Sequence, residues 1–216
     1  MPIASLRNFT VPIAGTQASS TQGLLMPKLK YRFRVTLDGF GVAGAPTTEL
    51  TKQVMNATRP DVTFEEIKLP VYNSTVKILG KHNFADAKLT IRDDASGVVS
   101  RKVGEQLQKQ FDFFEQAGAQ SAIDYKFRMR VEILDGGNGG FEPVTLESFE
   151  FLGCFIKQAT YQGGDYNSNE VMDISLTITF DNAIQLEAPG GAASGLGVNV
   201  GRVVRPPNAQ GLSTGG

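Results

Sequence analysis

Strict alternation between apolar and polar residues marks three segments of the chain, at 28–38, 125–134 and 171–181. Side chains of a strand point alternately to its two faces, so this period of two predicts strands that bury one face and expose the other. Such one-sided burial is typical of antiparallel sheets. The apolar positions are Leu29, Tyr31, Phe33, Val35 and Leu37; Tyr125, Phe127, Met129, Val131 and Ile133; and Met172, Ile174, Leu176, Ile178 and Phe180.

Shorter patterns add to the predicted sheet. Four further strands are expected over 62–69, 76–79, 88–92 and 146–156. The glycines and the asparagine at 136–140 separate two strand patterns and predict a hairpin loop.

One helix is predicted from apolar residues that recur at steps of three or four. The repeating positions are Val99, Val103, Leu107, Phe111 and Phe114. Ser96 is the expected N-cap and Gly118 the expected end. Gly104 inside the helix costs ~1 kcal/mol relative to alanine, so we expect packing to hold it. Together these patterns predict a mainly β fold, an antiparallel β-barrel or sandwich with one long helix laid across it.

The two ends of the chain differ from its middle. Residues 188–216 hold eight glycines and three prolines, a composition typical of flexible segments. We predict an N-terminal arm over 1–26, a β domain over 27–187 and a C-terminal arm over 188–216, with the arms held by neighbouring chains. The C-terminal residues expected in such intersubunit contacts are Val198, Val200, Val203 and Val204.

Composition narrows the function. The 216 residues carry 21 lysines and arginines against 22 aspartates and glutamates, a net charge of −1. This balance argues against a basic nucleic-acid-binding protein and an acidic disordered chain. A single cysteine and a single histidine exclude an internal disulfide and a zinc site built from several such ligands. Without a long apolar run or a visible secretory signal, we expect a protein made in the cytoplasm and not inserted into a membrane.

Candidate catalytic groups are few. His82 lies in the segment 80–83, which we interpret as a turn between strands. Cys154 lies in an apolar strand, where a buried and unreactive thiol is expected. The carboxylate pairs Glu65–Glu66 and Asp93–Asp94 point to opposite strand faces, so neither pair forms a metal site. We expect no enzyme activity and no cofactor.

Self-assembly is the remaining class of function. Exposed strand edges are normally blunted by proline, charge or bulges. The patterns at 28–38 and 171–181 contain neither proline nor glycine. Edges of this kind are suited to pairing with another subunit, which favours a structural protein that polymerises.

The order of several segments resembles that of the tail tube proteins of contractile-tailed bacteriophages. A carboxylate-bearing segment with an apolar-proline turn is followed by a strand ending in glycine, then Phe-Ala-Asp, a threonine-containing strand, an acidic pair and the helix. An Asn-Glu strand is similar to the closing strand of that family. The matching segments are 59–73, 76–80, 84–86, 89–94 and 166–181, with a weaker match at 27–37. The sequence departs from the family in its arms, in a longer insertion at 39–56 and in the absence of tryptophan.

The resemblance implies two packed antiparallel sheets and a helix, a fold shared with type VI secretion tubes. It implies six-membered rings that stack into a tube, inside a contractile sheath, that conducts DNA. The implied partners are further copies of the chain, the tail sheath protein, baseplate and tail terminator proteins, and the tape-measure protein and DNA in the lumen. The implied location is the tail tube of a virion assembled in the bacterial cytoplasm.

Candidate site residues follow from this implied assembly. The outward side chains of the closing strand are short, polar and acidic or neutral, as a lumen wall that does not grip DNA would need. Those lumen candidates are Asp173, Ser175, Thr177, Thr179 and Asp181. The ring-stacking candidates, expected to be exposed on the insertion, are Phe40, Val42, Ala43, Leu50 and Val54. The basic faces of the first two strands are expected to be partly neutralised by Asp173, Asp181 and Glu132.

Three alternatives stay open. The chain could be the tube subunit of a secretion or injection system, or a baseplate protein that initiates the tube. It could also be a monomeric β-barrel that binds a small ligand or single-stranded nucleic acid. That last function needs aromatic residues on the wet face, whereas Tyr31, Phe33, Tyr125 and Phe127 share the apolar face.

Overall fold

The computed structural model describes residues 28–42, 47–136, 142–186 and 196. The chain divides into two units, 1–32 and 33–216. In the first unit, the described residues form a turn in which the amide of Arg32 donates to the carbonyl oxygen of Leu29 over 3.2 Å. The prediction of a strand is therefore wrong for 28–32, because the turn takes this backbone out of the extended conformation. Apart from Leu196, both predicted arms lie outside the described residues, as do Val198, Val200, Val203 and Val204.

The described part of the second unit is mainly β. Its strands are Phe33–Asp38 (β1), Val54–Ala57 (β2), Val62–Val71 (β3), Ser74–Phe84 (β4), Ala87–Arg92 (β5), Phe111–Asp112 (β6), Ala117–Gly118 (β7), Phe127–Leu134 (β8), Thr145–Tyr161 (β9), Asp173–Thr179 (β10) and Asn182–Leu186 (β11). Its helices are Thr48–Gln53 (α1), Val98–Gln110 (α2) and Ala122–Tyr125 (α3).

The main sheet runs in the order β1-β8-β9-β10-β5-β2, and β11 also pairs with β9. All of these pairings are antiparallel. The strands at the two ends of this order, β1 and β2, do not pair with each other, so the sheet does not close into a barrel. The predicted mainly β, antiparallel fold with one long helix is confirmed.

The sheet turns within β9, a strand of 17 residues. The first half of β9 lies between β8 and β11, and its second half pairs with β10. Gly153, at the change of partners, has a φ of +69°, which favours glycine. Opposite it, the amide of Asp181 donates to the carbonyl oxygen of Leu152 over 3.0 Å. The chain thus passes from β10 to β11 at the point where β9 bends.

The third alternating segment forms an interior strand. Its apolar residues Ile174, Leu176 and Ile178 are buried, as the alternation predicts. However, β10 pairs with β9 on one side and with β5 on the other. The expectation that this strand offers an edge to a neighbouring subunit is wrong, because both of its edges are used within the subunit.

A side-chain amide covers one edge of β9. Beyond Cys154, the β8 side of β9 has no strand partner among the described residues. There Gln110, at the end of α2, donates from Nε2 to the carbonyl oxygen of Ile156 over 2.9 Å. Its Oε1 accepts from the Ile156 amide over 2.8 Å. The glutamine thus replaces a neighbouring strand at this position.

The core joins both halves of the sheet to α2, which buries Val99 and Val103. Gln106 of the same helix is fully buried and has partners for both ends of its amide. Its Oε1 accepts from the amide of Gly41 over 2.9 Å, and its Nε2 donates to the carbonyl oxygen of Tyr125 over 2.7 Å. A satisfied buried amide of this kind fixes the elements it joins, here the segment after β1 and the end of α3, just before β8.

The ends of α2 differ from the predicted ones. Gly97, with a φ of +66°, occupies the N-cap position in place of Ser96. The carboxylate of Asp94, three residues earlier, accepts a hydrogen bond from the amide of Val99 over 3.2 Å. The backbone becomes extended at Phe111, well before Gly118. The carboxylate of Asp112 accepts hydrogen bonds from the amides that follow it, which favours a turn over another helical turn.

Replacing Gly153 with alanine should destabilise the protein. A residue with a Cβ is strained at this φ, and the added Cβ would overlap the carboxylate of Asp181. We expect the free energy of unfolding, measured by urea denaturation, to fall by about 2–4 kcal/mol.

Gly104→Ala is the matched control. Gly104 lies inside α2, and an added Cβ there would have nothing within 4 Å. We expect this variant to be as stable as the parent or more stable by up to ~1 kcal/mol. Equal destabilisation by the two substitutions would contradict the special role of Gly153.

Candidate self-assembly surface

A long hairpin stands apart from the main sheet. β3 and β4 pair with each other and, among the described residues, with no other strand. Every residue of both strands is at least partly exposed. An isolated two-stranded hairpin is marginally stable in water. A hairpin of this length is therefore expected to pack against another surface.

One face of this hairpin is aliphatic. The register places Ile67 opposite Ile78 and Leu69 opposite Val76, and Val71 continues the same face. We call these five side chains the hairpin face. Each of them is 44–50% exposed. Contiguous exposed apolar side chains of this kind mark interaction sites in soluble proteins.

The opposite face of the hairpin is mainly polar, with Leu79 as an apolar exception. Glu66 lies between two lysines, with its carboxylate 3.1 Å from the Nζ of Lys77 and 3.6 Å from that of Lys68. A bulge follows Phe64, and there a Cβ on Gly80 would lie 2.9 Å from the carbonyl oxygen of Glu65. The two faces differ in chemistry, so the hairpin is amphipathic.

His82 is a residue of this hairpin. The prediction that it lies in a turn is wrong, because β4 continues to Phe84 and pairs His82 with Phe64. The imidazole packs between two phenylalanine rings, 6.4 Å from that of Phe64 and 5.4 Å from that of Phe84. These contacts give the ring a packing role.

The ring-stacking candidates divide between core and surface. Phe40 and Leu50 are buried, so the expectation that they are exposed is wrong. Phe40 packs edge-on against Phe127 with a ring distance of 5.0 Å, and α1 forms in the insertion and carries Leu50 into the core. Val54 is partly buried against the core in β2, and Val42 is exposed. Ala43 lies outside the described residues.

The lumen candidates share an outward face with basic residues. Asp173, Ser175, Thr177 and Thr179 alternate with the buried residues of β10, and Asp181 follows the strand. The adjacent strand β5 places Arg92 opposite Asp173, Thr90 opposite Ser175 and Lys88 opposite Thr177. This face is therefore rich in hydroxyl groups and has balanced charges, whereas the sequence of β10 alone indicates an acidic one.

Carboxylates do neutralise basic strand residues, in part as expected. Glu132 pairs with Arg34 and Asp181 with Lys126, each at 2.6 Å. Glu150 adds a pair with Arg130 at 3.5 Å. Asp173 instead lies opposite Arg92, because β10 is next to β5 and not next to the basic strands. Lys126 and Asp181 lie beside Gly153, where β9 bends.

A second exposed apolar feature follows α2. The segment Phe111–Gly118, which we call the aromatic turn, exposes Phe113 and leaves Phe114 94% exposed. The Asp112 carboxylate accepts from the amides of Phe114 and Glu115 over 2.9 and 3.2 Å and from Nε2 of Gln108 over 2.8 Å. These hydrogen bonds hold the pKa of Asp112 below its usual value. The sequence pattern placed this segment in the helix through Phe111 and Phe114. The adjacent phenylalanines Phe113 and Phe114 are the signal against it, because they do not recur at steps of three or four.

The described residues offer few side chains suited to metal binding or catalysis. No cluster of three or more histidine, cysteine, aspartate or glutamate side chains there could hold a metal ion. None of the helices in those ranges has the length and apolar character needed to cross a membrane. Cys154 is buried as expected, and burial raises its pKa to about 12.

Comparisons with known proteins find similar structures but no similar sequence. No protein-family model and no curated protein matches the sequence. A chain of the anti-feeding prophage cap (AFP tube terminating cap) matches with a TM-score of 0.56 and 17% identity, over 81% of this chain and 99% of that one. A chain of the PVC sheath/tube terminator, from an extracellular contractile injection system, has a TM-score of 0.53 and 16% identity, over 76% and 99% of the two chains. A chain of the PVC sheath-tube complex has a TM-score of 0.52 and 14% identity, over 81% and 99%.

These likenesses concern the fold. The chain shares the fold of proteins found in the tube, sheath and terminator structures of contractile injection systems. The resemblance to tail-tube-related proteins is confirmed at this level.

The Cys154 thiol should be unreactive in the folded protein. A thiol with its pKa near 12 is protonated at pH 8, and its position in the core blocks reagents. We expect less than ~5% reaction with a thiol-specific disulfide reagent in native buffer and complete reaction in denaturant. Rapid labelling of the native protein would contradict the burial of this residue.

Proposed function

We propose that this protein is a structural subunit that assembles with copies of itself into a tube of the contractile-tail type. The observation that carries the proposal is the hairpin face, an aliphatic surface on a hairpin that extends from a tube-type fold. In a homo-oligomer, the surface that covers the hairpin face would belong to a second copy of the chain.

Leaving apolar side chains in contact with water costs free energy, which assembly would recover. Five half-exposed aliphatic side chains on a two-stranded hairpin remain in contact with water in the single subunit. Burying apolar surface contributes about 25 cal/mol per Å². Covering this face in an assembly would therefore stabilise both the hairpin and the contact between subunits.

The finer form of the proposal is a phage tail tube. Six subunits would form a ring, and rings would stack inside a contractile sheath into a tube that conducts DNA. Sheath, baseplate and terminator proteins would contact the tube, and the tape-measure protein and DNA would occupy its lumen. The proposed location is the virion tail.

The outward face of β10 is the proposed lumen wall. Hydroxyl-bearing side chains predominate there, and Asp173 lies opposite Arg92. A wall with balanced charges would not collect a polyanion through many phosphate contacts. The same wall would suit a protein cargo, as in the alternative of a secretion or injection tube.

A terminating cap is a second candidate function. The anti-feeding prophage cap matches this chain over 81% of its length. A cap or a tube initiator occurs as a few copies at one end, whereas a tube subunit forms the whole length. Electron microscopy of the purified protein separates these roles, because only a tube subunit forms long tubes by itself.

The triple variant Ile67→Thr, Leu69→Thr and Ile78→Thr should prevent assembly. Threonine keeps strand propensity but makes the hairpin face polar. By negative-stain electron microscopy and sedimentation, we expect tubes or rings from the parent and monomers from the variant.

Leu79→Thr is the matched control, since Leu79 is 72% exposed on the opposite face of the same strand. We expect it to assemble like the parent. Normal tubes from the triple variant would exclude the hairpin face as an assembly surface, and a parent that stays monomeric at every concentration would overturn the proposed function.

A further inference from the structure

Two separate surfaces of the second unit expose apolar side chains, and they differ in shape. The hairpin face is an aliphatic strip along two paired strands, whereas the aromatic turn exposes the rings of Phe113 and Phe114. We propose that the aromatic turn of one copy docks on the hairpin face of a second copy. This inference rests on the proposed self-assembly and identifies the two surfaces that meet.

The aromatic turn is preorganised for such a contact. Three hydrogen bonds to the Asp112 carboxylate fix the backbone that carries Phe114. The ring of Phe111 packs edge-on against that of Phe113 at a distance of 5.4 Å. A rigid loop loses little conformational entropy on binding, so more of the contact energy is retained. Aromatic side chains held in this way are typical of interface hot spots.

The two segments that carry these surfaces have net charges of opposite sign. The turn Phe111–Gly118 carries Asp112 and Glu115 and no lysine or arginine. The hairpin from Val62 to Phe84 carries three lysines and two glutamates, a net charge of +1. Lys68 and Lys77 lie on its polar face, so the hairpin face itself is uncharged. Opposite net charge favours the approach of a turn to a hairpin over that of two hairpins. The uncharged aliphatic face can then accept the aromatic rings without desolvating a charge.

The contact joins unlike surfaces, and this determines the form of the assembly. Each copy offers one turn and one hairpin face, so every copy can contact two others. A head-to-tail contact of this kind generates a closed ring or an open filament, whereas a self-complementary contact generates a dimer.

Paired cysteines test this arrangement. The double variant Leu69→Cys/Phe114→Cys places one thiol on each surface, and the native Cys154 is buried. With a short bismaleimide, we expect the double variant to form a ladder of covalent multimers. An equimolar mixture of the two single variants should give covalent dimers only, and each single variant alone should stay monomeric.

Leu69→Cys/Ser175→Cys is the matched control, because Ser175 is exposed on the outward face of β10. Its multimers should be at least tenfold less abundant. Equal crosslinking of the control would mean random collision and would overturn the proposal. Dimers of Leu69→Cys alone would indicate contact between hairpins and would also overturn the proposal. Crosslinked product found only in the monomer band would do the same, because it would join the two surfaces within one copy.

A second variant separates this inference from the proposed function. Phe113→Ser/Phe114→Ser should raise the concentration needed for assembly at least tenfold, as expected for loss of two interface anchors. Tyr166→Ser, which removes an exposed aromatic ring elsewhere, should leave it unchanged. If the phenylalanine variant still forms normal rings or tubes, the docking arrangement is wrong while the tube function stands.

Discussion

The bend of β9 at Gly153 is the constraint on which the rest of the fold depends. There the strand changes from pairing with β8 and β11 to pairing with β10. The absence of a Cβ at Gly153 leaves space for the Asp181 carboxylate, which pairs with Lys126 beside the bend. Beyond the bend, α2 reaches the uncovered edge of β9, where Gln110 binds Ile156. The helix, the sheet and the core are therefore positioned by one change of strand partner.

The same arrangement leaves surfaces uncovered. The main sheet satisfies its interior strands, whereas β3 and β4 pair only with each other among the described residues. Their aliphatic face and the two rings of the aromatic turn stay in contact with water. Neither surface contributes to the core, and the proposed contacts between subunits would cover both. A subunit that is complete in its core and incomplete at its surface is suited to assembly.

Much of the secondary structure could be predicted from local patterns. Alternation identified β8 and β10, and the spacing of Val99 and Val103 identified the buried side of α2. The apolar surroundings of Cys154 predicted an unreactive thiol. Errors occurred where a local pattern had two structural meanings. The alternation includes residues 28–32, although these form a turn before β1. Phe111 and Phe114 follow the helical period although the helix has ended before them.

The sequence by itself determined the strands β1, β8 and β10 and which side of each is apolar, since alternation depends on neighbouring residues. Only the tertiary structure decided what covers each apolar side. Ile67 and Leu69 alternate like Ile174 and Leu176, yet the first pair is exposed on a hairpin and the second lies in the core. Phe40 and Leu50 are buried because distant elements pack over them. Periodicity reports the direction of a side chain, whereas burial depends on the partners that long-range strand pairing brings to it.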